Sequence, residues 1–300
     1  MGADEQNMSS GLRRRDVLGL LAASAFVSPA RASTTPRVAA IDWAMLETAM
    51  ALGVVPVAAT ELIQFRKTAE EPVLPQHVAD LGLRGAPNFE LLYLLNPELI
   101  LISPFYAQYE SRLKAIAPLV SLPFYVSGEP PFEKALAAVS SLGTQLGRST
   151  EAKAVIEQTQ QTLDDLRRSL AHFADRPTYV INVGDARHFR AFGADSMFGD
   201  VLSRLGLTNA WADVSRFTFA APVPLENLAA NPDARIVIVS DVPVEARSAF
   251  NNSVIWNSLK PVRENRVFML GNVNPYGGIT AGMRFAGLLS AALLSREDAP

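Results

Sequence analysis

Two stretches decide the fold: PNFELLYLLNPELILIS, from Pro87 to Ser103, and PVPLENLAANPDARIVIVS, from Pro222 to Ser240. Each runs from a proline through a leucine-containing helical stretch to Asn-Pro-acid, then into an apolar β run ending in Ser. In both, the first proline stands ten residues before the proline of Asn-Pro, and Pro97 and Pro232 are 135 residues apart. In the first copy Asn88 suits a helix N-cap, with Glu90 in the first turn where the helix dipole favours an anion. Asn96-Pro97 stops that helix, because the residue before proline avoids the α region. Leu99 to Ile102 reads as a buried strand by its unbroken apolar character. A helix–strand unit written twice predicts two similar α/β lobes with a ligand cleft between them.

Further landmarks repeat in the same order. Met45 to Leu52-Gly53 matches Met197 to Leu205-Gly206, a helix ending on Leu-Gly. Pro118 and Pro261 each precede a strand. The span from Leu-Gly to Asn-Pro is longer in the first half, where residues 60–87 read as irregular. Arg37 to Asp42, Val54 to Ala58 and Tyr179 to Val183 are strand candidates. From Ser149 to Ala174, apolar residues fall at steps of three and four. This predicts one long amphipathic helix joining the lobes as a rod. The expected organisation is an export leader at 1–32, an N-terminal lobe at 33–148, the connecting helix at 149–176 and a C-terminal lobe at 177–300.

The leader is read from Arg13-Arg14-Arg15, the apolar run Val17 to Val27 and Ala30-Arg31-Ala32. The run is shorter than the roughly 20 residues that span a bilayer, and A-x-A is a cleavage pattern. Consecutive arginines before Asp-Val-Leu resemble a twin-arginine signal; an ordinary secretory leader has the same three parts. The expected location is the periplasm. The chain has no cysteine, which removes disulfides and a lipid-modified cysteine together, so it is not expected to be a lipoprotein. It carries 27 basic and 30 acidic residues, a net charge of −3. That balance argues against a nucleic-acid partner.

Catalytic patterns are missing. The three histidines, His77, His172 and His188, show no ligand spacing, and without cysteine a protein-held transition metal is not expected. There is no G-x-S-x-G elbow, P-loop or G-x-G-x-x-G. The chain therefore reads as a binder with no cofactor rather than an enzyme, and as a monomer. An exported α/β hydrolase stays as the rival of a different class, since catalytic groups can meet from distant positions.

The order Leu-Gly, Gly-Leu-Arg, Pro-Asn-Phe-Glu, Asn-Pro-acid-strand and long helix resembles the substrate-binding proteins for iron–siderophore and cobalamin import. The ferric-hydroxamate (ferrichrome-type) branch is the nearest likeness. Its most specific pieces are VADLGLRGAPNFE (Val78 to Glu90), Asn209-Ala210-Trp211, and Tyr276-Gly277 ahead of Met283-Arg284-Phe285. The resemblance implies two lobes on one rigid helix, capture of a ferric siderophore, and delivery to an inner-membrane ABC permease. The carrier wraps the iron, so the protein would supply hydrogen-bond donors and apolar surface, not metal ligands. Cobalamin or haem is the same-fold alternative.

Taken alone, Arg84 is either a solvated loop arginine or a two-pronged donor; the resemblance implies a hydroxamate contact. It likewise implies a second iron-side contact at Tyr106, otherwise a half-buried aromatic. Trp43 is a cleft wall or a core residue. Phe217, Phe219, Asn274 and Tyr276 fall where the family lines its second lobe. Thr68, Ile102, Thr218 and Asn274 stand at or near places where the branch carries tryptophans. A more polar pocket is expected, with room for a citrate-hydroxamate. Glu110 and Glu245, each after a repeat strand's terminal Ser, are expected permease contacts, or else ordinary exposed acids.

Overall fold

The computed structural model describes residues 36–211 and 222–295, and over these the chain builds two five-stranded sheets. In the first half β1 (Val38–Ala40), α1 (Trp43–Ala51), β2 (Ala58–Ala59), α2 (Leu62–Ala69), β3 (Ala79–Asp80), α3 (Phe89–Leu94), β4 (Leu99–Ile102), α4 (Glu110–Lys114) and β5 (Leu119–Ser121) follow in order. Helices α5 (Phe132–Gln145) and α6 (Ser149–Ser169) come next. The second half holds β6 (Thr178–Val183), β7 (His188–Ala191), α7 (Met197–Arg204), β8 (Pro222–Pro224), β9 (Arg235–Ile238), α8 (Val244–Asn251), α9 (Val254–Ser258), α10 (Lys260–Arg263), β10 (Val267–Met269) and α11 (Ile279–Leu294). The expected leader, Phe217, Phe219 and Thr218 lie outside the described residues.

The first sheet is wholly parallel in the order β3-β2-β1-β4-β5. The second runs β10-β9-β6-β7-β8, with β10, β9 and β6 parallel. Its β7 and β8 pair antiparallel. The duplication is therefore partial. Strands β1, β4 and β5 correspond to β6, β9 and β10, but the parallel β2 is matched by an antiparallel β7. A two-residue strand reached through a helix and a hairpin strand are different solutions for the same sheet edge.

Local chemistry accounts for the matched parts. The Asn88 side chain accepts the Leu91 N–H at 3.0 Å and starts α3. Helices α1 and α7 both end on Leu-Gly, with Gly53 at φ +75° and Gly206 at φ +79°, the left-handed backbone that favours glycine at a C-cap. The second copy's helical stretch is only a 3-10 turn, Leu225–Ala230. Residues 60–87 are not irregular: they contain α2 and β3. The connecting helix ends at Ser169, and a 3-10 segment, Ala171–Asp175, continues it. Its N-cap position is Arg148, not Ser149.

Period-two alternation divides each sheet. Val38, Ala40 and Leu101 face one core; Ala39, Ile100 and Ile102 face another. In the second sheet Val180 and Val237 face the same core as Val38, while Tyr179, Ile181 and Ile236 face a third. The inner faces of both sheets thus pack on one shared helical layer of α1, α5, α6, α7 and α11. The connecting helix is one member of that layer, with Ala152 and Leu163 buried in it.

Candidate ligand-binding site

In both sheets the strand order reverses direction at a central strand, and ligands bind outside the carboxyl ends of strands at such a point. In the first sheet it lies between β1 and β4, where the Ser103 hydroxyl donates to Asp42 Oδ2 at 2.8 Å. In the second it lies between β6 and β9, where Asn182 Nδ2 donates to the Val239 carbonyl at 2.9 Å. One side chain ties the two strand ends together in each lobe.

Four side chains follow the C-terminal ends of β1 to β4. Asp42 caps α1, its Oδ1 accepting from the Ala44 and Met45 N–H groups at 2.8 and 3.0 Å. This fixes Trp43 on the first turn. Its indole N–H donates to the Thr60 carbonyl at 2.9 Å, and its ring meets Phe65 edge-on at 5.3 Å. Glu61 follows β2 with a left-handed backbone, φ 51°. After β3, Asp80 accepts the Gly82 N–H at 2.9 Å and Gly82 turns the chain at φ +74°. That turn delivers Arg84. Its Nε donates to Glu61 Oε2 at 2.7 Å and its backbone N–H to Glu61 Oε1 at 3.1 Å. The guanidinium carbon lies 3.9 Å over the Trp43 ring and 5.9 Å from the Tyr276 ring. Tyr106, after β4, is 3% exposed, and its hydroxyl is close enough to Arg84 to feel the guanidinium.

Burial first, then the negative field of Asp42, pushes the Tyr106 phenol above its ordinary range; Arg84 opposes the shift. The hydroxyl therefore stays protonated and acts as a donor. Burial also raises Asp42 above the usual carboxylate range, against its bonds from Ser103, Met45 and Ala44.

A cavity of about 370 Å³ lies between the two halves and meets this cluster at Tyr276. Its first-half wall is one face of α2, with Gln64, Lys67 and Thr68. Its second-half wall includes Asn182, Arg190 and Tyr276, so Tyr276 borders both the cavity and the Arg84 cluster. Its size is within the range of small-molecule pockets.

The structure thus brings Trp43, Arg84, Tyr106 and Tyr276 together, and Thr68 lines the cavity. Ile102 is a core residue, 1% exposed. Asn274 is also 1% exposed; its amide donates to Glu47 Oε1 at 2.7 Å. Glu110 opens α4 and pairs with Lys114 at 2.5 Å. Glu245 lies within α8, and its side chain is outside the described set. Sequence reasoning missed Glu61, Glu47, Lys67 and Arg190. Only Lys67 had a local signal: Leu62, Phe65 and Ala69 are spaced as one helical face, which leaves Lys67 on the opposite side.

Two α/β lobes about a cleft, with polar side chains at the carboxyl ends of their strands, define a bilobal solute-binding architecture. The family profile described as periplasmic binding protein matches residues 38–273, and the chain belongs to that family. It is 28% identical over 257 residues to the iron(3+)-hydroxamate-binding protein FhuD of Escherichia coli K12, covering 86% of each chain. It is 29% identical over 244 residues to the achromobactin-binding periplasmic protein of Dickeya dadantii, covering 76% of this chain and 75% of that one. Among solved structures, the Fe3+-Desferal-bound FhuD of Vibrio cholerae superposes with a TM-score of 0.82 at 24% identity, covering 87% of this chain and 99% of that one. The family expected from the repeat and the GLRG segment is the family found.

Proposed function

We propose that this protein captures a ferric siderophore of hydroxamate type in the cleft and delivers it to an inner-membrane ABC permease. The observation that supports this most is Arg84. Glu61 and Trp43 hold it beside the protonated Tyr106 hydroxyl, at the carboxyl ends of four strands, and Tyr276 joins this cluster to the cavity. A ferric hydroxamate presents oxygens that accept such donors, each charge-assisted bond contributing about 1.5–3 kcal/mol. The names of two relatives, a hydroxamate binder and an achromobactin binder, support the same class.

In this reading Arg84 and Tyr106 meet the iron-side oxygens, Tyr276 supplies an aromatic wall, and Trp43, a core residue 3% exposed, supports Arg84 from behind. Phe217 and Phe219, which lie outside the described residues, are further ligand contacts in this reading. Asn274 acts indirectly, by holding the loop that bears Tyr276. Glu110 and Glu245 meet the permease. The protein works as a monomer without catalysis or a cofactor, and residues 1–32 direct export to the periplasm by the twin-arginine route. The remaining parts are an N-terminal lobe at 33–148, a connecting helix at 149–176 and a C-terminal lobe at 177–300.

Tryptophan fluorescence titration with ferric and iron-free desferrioxamine B tests the proposal. Saturable quenching by the ferric complex alone is expected. No response to any ferric hydroxamate would remove the siderophore reading.

A further inference from the structure

The charges around the cleft are unevenly matched. Arg84 already faces Glu61, with Asp42 close by. The cavity beyond Tyr276 is different. Lys67 and Arg190 line it from opposite lobes, and no acid is among the described residues that line it. Neither cation makes an ion pair or side-chain hydrogen bond with another described residue.

Both are directed there by the fold. Arg190 pairs with Asn182 across β6 and β7. Asn182 alternates with Tyr179, Ile181 and Val183, which face the outer core, so it and Arg190 stand on the sheet's inner face. Phe192 lies two residues further along that face and is buried in the shared core. Lys67 lies one turn from Gln64 on the side of α2 opposite the buried Leu62 and Phe65. The whole chain is net acidic at −3, so two unmatched cations in one cavity run against its average charge.

We infer that the cavity beyond Tyr276 is an anion subsite, in which Lys67 and Arg190 receive a carboxylate that the ferric chelate carries outside its iron-coordinating groups. The inference rests on the siderophore reading of the same cleft and narrows its ligand class. A carboxylate between the two would bridge the lobes. Arg190 would offer a planar fork and Lys67 a point charge. The pocket's polar remainder, Thr68, Asn182 and Ser240, suits a carboxylated arm better than a hydrocarbon one.

The test compares two ferric complexes that differ only at the pendant end of one linear trihydroxamate: N-acetyl-desferrioxamine B, neutral there, and N-succinyl-desferrioxamine B, which ends in a carboxylate. Affinities are measured by fluorescence titration of the full-length mature protein. The succinyl complex should bind at least tenfold more tightly, and the ratio should shrink as salt is raised. Arg190→Gln and Lys67→Gln, checked for an unchanged melting profile, should each bring the ratio down towards one. Equal wild-type affinities would overturn the anion subsite and leave the siderophore reading intact. A wild-type preference that survives both substitutions would also overturn it. Binding of neither complex would remove the siderophore reading, and the subsite with it.

Discussion

Arg84 reaches its place through restraints in two directions. Glu61 holds one edge of the guanidinium in its plane, and the Trp43 ring supports its face at 3.9 Å. The remaining edge is left for Tyr106 and a ligand. Arg84→Ala should weaken ferric hydroxamate binding tenfold or more, since one charge-assisted bond of about 1.5–3 kcal/mol corresponds to at least that factor. Arg84→Lys should rescue little, because an ammonium has neither the fork nor the flat face for stacking. Glu61→Gln is expected to cost less, a few-fold, by loosening the arginine without removing it. Isothermal titration of the three variants checks the order, and an Arg84→Lys protein of wild-type affinity would show that the planar geometry is irrelevant. A resemblance pointed to Arg84 in the sequence. Its partner Glu61 was invisible there, since two residues 23 apart meet only because β2 and β3 are parallel neighbours.

At the scale of elements, α11 begins on Gly277-Gly278 and has no capping side chain of its own. Glu47 of α1 does that work across the lobes. It is fully buried; its Oε2 accepts the Gly278 N–H at 2.8 Å and its Oε1 the Asn274 amide at 2.7 Å. A Cβ on Gly277 would overlap this carboxylate, so glycine is required there. Burial raises the Glu47 carboxyl to about 7, against the hydrogen bonds from Asn274 and Gly278. A group whose folded pKa exceeds its unfolded value adds stability that is full below the unfolded value, about 4.5, and is lost as pH rises through about 7. Melting curves from pH 4.5 to 8 should therefore show wild type losing on the order of 3 kcal/mol relative to Glu47→Gln. Parallel pH profiles for the two proteins would refute that titration. The elements themselves were legible to unequal degrees. Helices α1, α3 and α7 were readable from their caps and Leu-Gly ends. Helix α2 had only its apolar spacing to mark it, because Glu61 enters it with a left-handed backbone and no side-chain cap. The antiparallel β7 was equally hidden, since strand direction depends on the partner strand and leaves no mark in the chain.

At the scale of the whole molecule, two sheets suggest two folding units, but the packing argues for one. Leu46 of α1 and Leu202 of α7 are both fully buried in the same core, which also contains Phe285 of α11 stacked 4.8 Å from Phe198. Polar ties cross the same boundary. Arg284 of α11 bonds Glu70 at 2.5 Å and Glu71 at 2.9 Å, at the end of α2. Asp200 of α7 accepts the Phe132 N–H at 2.8 Å at the start of α5. Each half also has an outer core of its own, but unfolding either would expose the inner face of the other and strip it of the larger shared core. Calorimetry should accordingly give one transition. Leu46→Ala in the first half and Leu202→Ala in the second should each cost about 2–5 kcal/mol. Each should lower that single melting temperature by about 5–15 °C. Two resolved transitions, with each substitution moving only its own, would mean that the lobes are independent. In that case the shared helical layer could not limit their relative motion. The same coupling limits closure on a ligand: α6 is packed along the layer and is no free hinge, so binding should leave the radius of gyration within a few tenths of an ångström, on the scale of pre-organised partners. Small-angle scattering of the free and ferric-hydroxamate-saturated protein measures that directly, and a contraction of an ångström or more would require the helices of the layer to slide past one another.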